Sequence, residues 1–252
     1  MDNNMIDLTD FGFTKIPRQE KATRVKDLFS RVSSHYDLMN DLMSLGLHRQ
    51  WKKSYIHRMR LHQNDNVLDI AGGTGDISIM LHKTFPFLNL TTTLIDLTPS
   101  MLDEGRHKAI DQGIVQNINW CAGQAESLPI SDNYADVYTI SFGLRNVADR
   151  SKALSEAFRV LKPGGRFYCL EFSHLEHDTL QKIYDLYSFS VLPFLGKHVA
   201  KDEDAYQYLA ESIRKFPARL RLEGELKTIG FTTVRSEAWM NGIVAFHEAI
   251  KS

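Results

Sequence analysis

The chain is short of the features that define several large classes of protein. It has two cysteines in 252 residues, Cys121 and Cys169, each inside an apolar, strand-like pattern and far from the other. Buried thiols in a reducing compartment are therefore expected, and a disulfide scaffold is not. No apolar run reaches the roughly 18 to 20 residues that a bilayer-spanning helix needs. The N-terminus, MDNNMIDLTD, is acidic where a secretory signal or a mitochondrial presequence would be basic. Together these absences lead us to expect a soluble, cytoplasmic protein. Charge of one sign is missing too, since the formal net charge is -1, which argues against a broad nucleic-acid-binding face. The ten histidines are scattered without the spacing of a ligand set, so no metal is expected. Internal repeats and low-complexity linkers are absent as well.

What is present is an alternating α/β pattern. A chain of this length with 43% hydrophobic residues can bury one sizeable core, so one domain covering 1–252 is expected. Strand patterns at Asn66 to Ala71, Thr91 to Asp96, Ile118 to Ala122, Asp136 to Ser141 and Arg166 to Phe172 alternate with helical ones, which predicts a parallel, doubly wound sheet. Ile77 to Phe85 reads as one helix. Lys152 to Leu161 reads as another, closed by Pro163, Gly164 and Gly165. Phe231 to Glu237 and Gly242 to His247 are expected to complete the sheet as an antiparallel edge. Residues 1–60 read as an N-terminal helical cap, 61–173 as the core that holds the parallel strands, 174–219 as inserted helices and 220–252 as a final helix with edge strands.

The most informative stretch is VLDIAGGTGD, Val67 to Asp76. Val67, Leu68 and Ile70 suit an inner strand, and Gly72, Gly73 and Gly75 follow where it would end and let the backbone turn close to a ligand. A loop there lies at the carboxyl edge of the sheet, where open α/β folds bind ligands. Asp96 ends the next strand about twenty residues on, where nucleotide folds place a carboxylate for ribose hydroxyls. A cap for the helix opening at Pro99 is its structural alternative, although Thr98 is the better-placed cap. Ile77 and Ser78 stand where a dinucleotide fingerprint wants its third glycine, so S-adenosylmethionine (SAM), which has no pyrophosphate, fits better than NAD.

These motifs carry a family resemblance. VLDIAGGTGD, LIDLTPSML, CAGQAESLP and RVLKPGGRFYCLEFS resemble, in order and spacing, class I SAM-dependent methyltransferases. YDLMNDLMSLGLHRQWKK at 36–53, SFGLRNV at 141–147 and LEFS at 170–173 are similar to the ubiquinone/menaquinone biosynthesis C-methyltransferase family. That resemblance implies a Rossmann-like seven-stranded sheet with the last strand antiparallel. It also implies SAM as cofactor and methylation of a ring carbon of a polyprenyl benzoquinol or of demethylmenaquinol. The cofactor residues it implies are Asp69, Gly72, Gly73, Thr74, Gly75, Asp96, Leu97, Gln124, Ala125 and Ser141. Gln124 stands where the family has Asn or Asp, which leaves a backbone contact. Thr74 is expected at the methionine end of SAM, Asp96 at the ribose, Gln124 and Ala125 at the adenine, and Ser141 beside the methionine moiety.

Catalytic expectations rest on the chemistry of a phenol. Loss of the hydroxyl proton makes ortho and para carbons nucleophilic, so a cation or a base beside the oxygen accelerates methyl transfer. Arg145 is the expected electrostatic residue and Asn146 the one that positions ring oxygens; the structural alternative for Arg145 is an ion pair with a nearby carboxylate such as Asp149. Tyr36 and Asp37, with His35 and Asn40, are expected either to close over the site or to belong to a helix bundle that only caps the sheet, and Glu171 is either a base or a structural hydrogen-bonding group. The aromatic-rich stretch from Ile183 to Leu195 suits an isoprenoid tail, a membrane surface or a dimer face, and Tyr206, Tyr208 and Leu209 are expected near the ring. A quinol substrate, peripheral membrane contact or a quinone-biosynthesis complex, a homodimer and no nucleic acid are the partner expectations. A nucleic-acid methyltransferase is disfavoured because SFGLRN replaces an Asp/Asn-Pro-Pro-aromatic turn. A small-molecule O-methyltransferase shares the cofactor half, and a silent scaffold is disfavoured by the intact glycine loop.

Overall fold

A computed structural model describes residues 7–33, 40–41, 44, 46–175 and 202–252. Its centre is a seven-stranded sheet made of β3 (Asn66–Ile70), β4 (Thr91–Asp96), β5 (Ile118–Ala122), β6 (Ala135–Ser141), β7 (Leu161–Phe172), β8 (Thr232–Trp239) and β9 (Val244–Ile250). The order is β5-β4-β3-β6-β7-β9-β8. The first five run parallel, and β9 runs antiparallel to both its neighbours. From β3 the chain winds outward through β4 to β5, and then returns to β6 on the other side, so a ligand-binding crevice is expected at the β3 and β6 carboxyl ends.

Alternation along each inner strand divides the core. Val67, Val137 and Tyr168 face one cluster, while their neighbours Leu68, Tyr138 and Phe167 face the other. The first cluster is covered by α1 (Arg18–Val32), α2 (His48–Arg58), α3 (Asp76–Thr84) and α6 (Glu203–Lys215). The second is covered by α5 (Arg150–Val160) and α7 (Arg219–Ile229), with α4 (Pro99–Asp111) connecting β4 to β5. Buried hydroxyls are satisfied where they enter this core: the Tyr55 hydroxyl lies 2.6 Å from Thr139 Oγ1, and the Tyr168 hydroxyl accepts from Arg60 N at 2.9 Å.

Three details differ from expectation. The two C-terminal strands complete the sheet beside β7 as expected, but only one of them runs antiparallel to the other strands: β9 slots between β7 and β8. Six of its seven residues are buried, whereas β8 keeps polar, half-exposed positions, so the apolar strand takes the interior place. Strand β7 begins at Leu161, before Pro163, because α5 already ends at Val160 and Leu161 pairs with Ala135. The N-terminal region opens with a hairpin rather than a helix, β1 (Leu8–Phe11) and β2 (Thr14–Pro17), turning at Gly12 with φ +59°. Only then does α1 begin, burying Lys21, Val25, Leu28 and Val32 at helical spacing.

One side chain sets how closely α4 approaches the glycine loop. A Cβ on Gly105 of α4 would sit 2.4 Å from the Trp120 ring and 3.0 Å from the Thr74 backbone, and one on Gly75 would sit 2.7 Å from the same ring. Trp120 therefore fills the space that two missing side chains leave. Gly105→Ala is expected to destabilise the protein by about 1–3 kcal/mol through overpacking, although alanine is the better helix former. Thermal denaturation checks this, and a stabilised variant would show that Trp120 can move aside freely.

Candidate active site

The site forms where β3, β4 and β6 end. The chain leaves β3 through Ala71, Gly73 and Gly75, all at positive φ (51°, 55° and 78°), and leaves β6 through Phe142 at φ 55°. Alanine and phenylalanine seldom adopt that region, so both strand ends hold strain beside the crevice. Gly72 is required for another reason: a Cβ there would lie 2.6 Å from the Leu94 side chain. Asp96 fixes the loop, since Oδ2 accepts from Gly73 N at 2.9 Å and Oδ1 from Thr98 N at 2.8 Å. Burial raises the pKa of this carboxyl, against the backbone donors that favour its charge. Asp96 lines a cleft with Gly73, Leu97, Met101, Gln124, Ala125 and Asn146, over which α1 lays Ala22, Val25 and Phe29.

A smaller recess adjoins the glycine loop and contains three unsatisfied buried atoms. Asp69 is wholly buried; its Oδ2 accepts from Ser78 N and Oγ at 3.2 and 2.6 Å, but Oδ1 has no partner. Thr74 Oγ1 and Ser141 Oγ are likewise buried without partners. All three residues line the recess, together with Lys52 and Asp76. Burial pushes the Asp69 carboxyl up to about 7, despite the Ser78 hydrogen bonds. Asp76 behaves in the opposite way: burial would raise it, but Lys52 and Lys108, each at 2.6 Å, hold it well below the usual carboxylate range. A free carboxylate oxygen and two free hydroxyls in one recess suit a ligand end that carries an ammonium and further polar groups, as the amino-acid end of SAM does.

Beyond β6 a buried ion pair holds the next turn. Arg145 Nη1 donates to Glu171 Oε1 and to Phe142 O, both at 2.6 Å, and Arg145 N donates to Glu171 Oε2 at 3.2 Å. Phe172 N also donates to Glu171 Oε1, and the Arg145 guanidinium lies 5.4 Å from the centre of the Phe172 ring. The Glu171 side chain is 0% exposed and that of Arg145 3%. Next to the pair, Tyr208 of α6 donates to Asn146 Oδ1 at 3.2 Å and stacks on Phe11 of the hairpin. Among the described residues no group of three His, Cys, Asp or Glu is placed to hold a metal.

A profile of the ubiE/COQ5 methyltransferase family matches residues 18–251. The chain is 48% identical over 243 residues to a ubiquinone/menaquinone biosynthesis C-methyltransferase, UbiE, of Ruegeria sp. (strain TM1040), covering 96% of both chains. It is 48% identical over 248 residues to the protein of the same name in Francisella tularensis subsp. tularensis (strain WY96-3418), covering 96% of this chain and 97% of that one. This chain belongs to the ubiE/COQ5 methyltransferase family. In fold it is similar to a SAM-dependent methyltransferase from Thermotoga maritima, with a TM-score of 0.61 at 17% identity, over 90% of this chain and all of that one.

In this family member, the ten residues expected at the cofactor fall around two adjoining spaces. Gly73, Asp96, Leu97, Gln124 and Ala125 line the cleft; Asp69, Gly72, Thr74 and Ser141 line the recess, and Gly75 shapes the loop between them. The partner of Arg145 is Glu171 and not Asp149, which instead caps α5 by accepting from Lys152 N and lies 3.5 Å from Arg18. Glu171 thus takes its structural alternative as the counter-ion of Arg145. Tyr206 is buried in the core under α1 and α2, while Tyr208 reaches the Arg145–Asn146 turn. His35, Tyr36 and Asp37, and the stretch from Ile183 to Leu195, lie outside the described residues. The sequence reading missed Lys52, which lies inside the quoted HRQWKK motif, and the α1 residues Ala22, Val25 and Phe29. Their helical spacing is the same as that of an ordinary core stripe.

Glu171→Gln is expected to cost about 3–5 kcal/mol of stability, because it leaves the Arg145 charge buried without a counter-ion. Adding Arg145→Met should recover part of that loss. Urea denaturation measures both, and a cost for the single variant under about 1 kcal/mol would mean that solvent screens the pair.

Proposed function

We propose that this protein is a SAM-dependent C-methyltransferase acting on a ring carbon of a polyprenyl benzoquinol or of demethylmenaquinol. The observation that carries this reading is the 48% identity, across 96% of the chain, to proteins named ubiquinone/menaquinone biosynthesis C-methyltransferase. The recess supports it independently, since its unpaired carboxylate oxygen and hydroxyls are what the amino-acid end of SAM requires. SAM supplies an electrophilic methyl group. The protein's residues have the remaining tasks: Asp69 faces the ligand's ammonium, Asp96 the ribose, and the apolar stripe of α1 keeps water from the cleft. Holding the ring carbon in line with the methyl is a positioning effect, which can account for a large part of the acceleration.

The ring oxygen needs electrostatic help, because a phenol with a pKa near 10 is mostly neutral at neutral pH. In this reading Arg145 supplies a positive field at the oxygen while Glu171 holds its orientation, and Asn146, fixed by Tyr208, positions a ring substituent. No helix among the described residues is long and apolar enough to cross a membrane. In this reading a lipid-soluble quinol is met at a membrane surface by a protein working from the cytoplasm. Peripheral membrane contact, a quinone-biosynthesis complex and a homodimer belong to the same proposal.

Two measurements test this reading. Asp69 must ionise to face a cation, so SAM affinity should rise as pH is raised through about 7 and should lose that dependence in Asp69→Asn. Calorimetry across that range decides it, and a flat wild-type profile would move the ammonium elsewhere. Purified protein given SAM should methylate a demethylated quinol, and Arg145→Lys should lower kcat by about 10²–10³-fold with SAM affinity retained. A normal kcat would leave Arg145 a structural ion-pair residue, and no product from either quinol would remove the substrate assignment.

A further inference from the structure

A second polar cavity of about 250 Å³ lies between the β1–β2 hairpin, α1, α6 and the turn after β6. It shares Val147 and Ala148 with the cofactor cleft, and Arg145 and Tyr208 form part of its wall. Lys21 projects into this wall from α1 and is only 6% exposed, yet it forms no hydrogen bond or ion pair with any described residue. Every other charged group around it is engaged. From the same helix, Arg18 is held by Asp7 at 2.6 Å and by Asp149 at 3.5 Å. From α5, Arg150 is bidentate to Glu225; from α6, Lys215 lies 3.8 Å from Asp10 of the hairpin. Glu126, after β5, accepts from Ala148 N and Asp149 N, and Arg145 pairs with Glu171. Lys21 is therefore a buried amine facing a polar space with nothing to bind.

We propose that the Lys21 amine is a catalytic residue, accepting the proton of the quinol ring hydroxyl whose oxygen activates the methylated carbon. This rests on the proposed function. The chemistry needs a proton acceptor, and the carboxylates around this cavity are already engaged, Asp149 by Lys152 N and Arg18, Asp10 by Lys15, and Glu126 by two backbone donors. A guanidinium does not deprotonate, which removes Arg145. Glu171 is fully buried, and both of its oxygens are occupied by Arg145 and backbone donors. Burial pushes the Tyr208 hydroxyl up, away from any role as a base. Burial acts on Lys21 in the useful direction, lowering it to about 8 against the nearby carboxylates of Asp10 and Glu126. A fraction of neutral amine then exists at neutral pH, and the ammonium formed on proton uptake sits beside the new phenolate.

The step balances without another reactant. The O–H bond breaks and its proton moves to Nζ, while the electron pair delocalises onto the ring carbon. That carbon forms a bond to the methyl as the sulfur–methyl bond breaks, its electron pair remaining on sulfur. The hydrogen on the methylated carbon leaves to water as the ring regains aromaticity, and the Lys21 ammonium returns its proton to the oxygen. One proton is released for each methyl transferred.

The test is the pH profile of kcat/KM for the quinol, measured anaerobically with the full chain and saturating SAM. Wild type should rise with pH and level off at about 8. Lys21→Met should lose about 10²-fold or more near neutral pH, and its limb should extend toward the free phenol value of roughly 10. Lys21→Arg keeps the charge but takes up no proton, so it should share the displaced limb, and it also serves if the methionine variant folds poorly. SAM affinity by calorimetry should match wild type in both. A limb that stays at its wild-type position in the variants overturns the proposal, as does a loss of activity matched by loss of SAM affinity. Failure of wild type to methylate either quinol at any pH overturns the proposed function itself, and the Lys21 assignment with it.

Discussion

The carboxylate of Asp96 is the contact on which the site depends. Its two oxygens reach different loops, Gly73 N on the β3 side and Thr98 N at the entrance to α4. The backbone turn after β3 and the first turn of α4 are thereby held in one geometry, and everything that lines the cleft is referred to that pair. Gly72 can take part only because Leu94 occupies the place of its missing side chain, and Gly75 and Gly105 because Trp120 occupies theirs. Glycines supply the close approach, and the apolar side chains around them make that approach rigid. A loop of glycines alone would be mobile; packed against Leu94 and Trp120 it becomes a wall.

Charge is concentrated at the same end of the sheet. Asp69, Asp76, Lys52, Arg145 and Glu171 are buried or nearly so, in a region where desolvation is costly. Some of that cost is offset inside the protein, as in the Lys52–Asp76–Lys108 triad and the Arg145–Glu171 pair. Some is left open, as at Asp69 Oδ1, Thr74 Oγ1 and Ser141 Oγ. The paired groups fix positions, and the unpaired ones line the recess beside the glycine loop.

What could be read from the chain follows the distance over which its signals act. The glycine loop, Asp96, the five parallel strands and the two C-terminal strands are local patterns, so their types and approximate bounds were legible. The place of β9 was not, because interior and edge positions depend on which neighbours remain unpaired once the sheet is assembled. The counter-ion of Arg145 was equally hidden. Asp149 is four residues away in sequence, but the register of β6 against β7 sets Ser141 beside Leu170 and so brings Glu171 to the turn. Lys52 and the α1 stripe belong to helices whose spacing describes a buried face without saying what it is buried against.

The hairpin and α1 change the meaning of that buried face. In an ordinary cap the apolar stripe of an added helix would complete the core, and Val25 and Leu28 do so. Ala22, Val25 and Phe29 extend the same stripe over the cleft beside Asp96, and Lys21, one residue before Ala22, lines the adjoining cavity instead. One helix thus covers the cleft and lines the polar cavity beside it, with the turn from Arg145 to Ala148 between them. Because the hairpin ties to that turn through Thr9 Oγ1 and α1 through Arg18, both donating to Ala148 O at 3.2 and 3.0 Å, any shift of α1 would alter both spaces together. Access to the cleft and the surroundings of the Lys21 amine are in this way set by the placement of a single element.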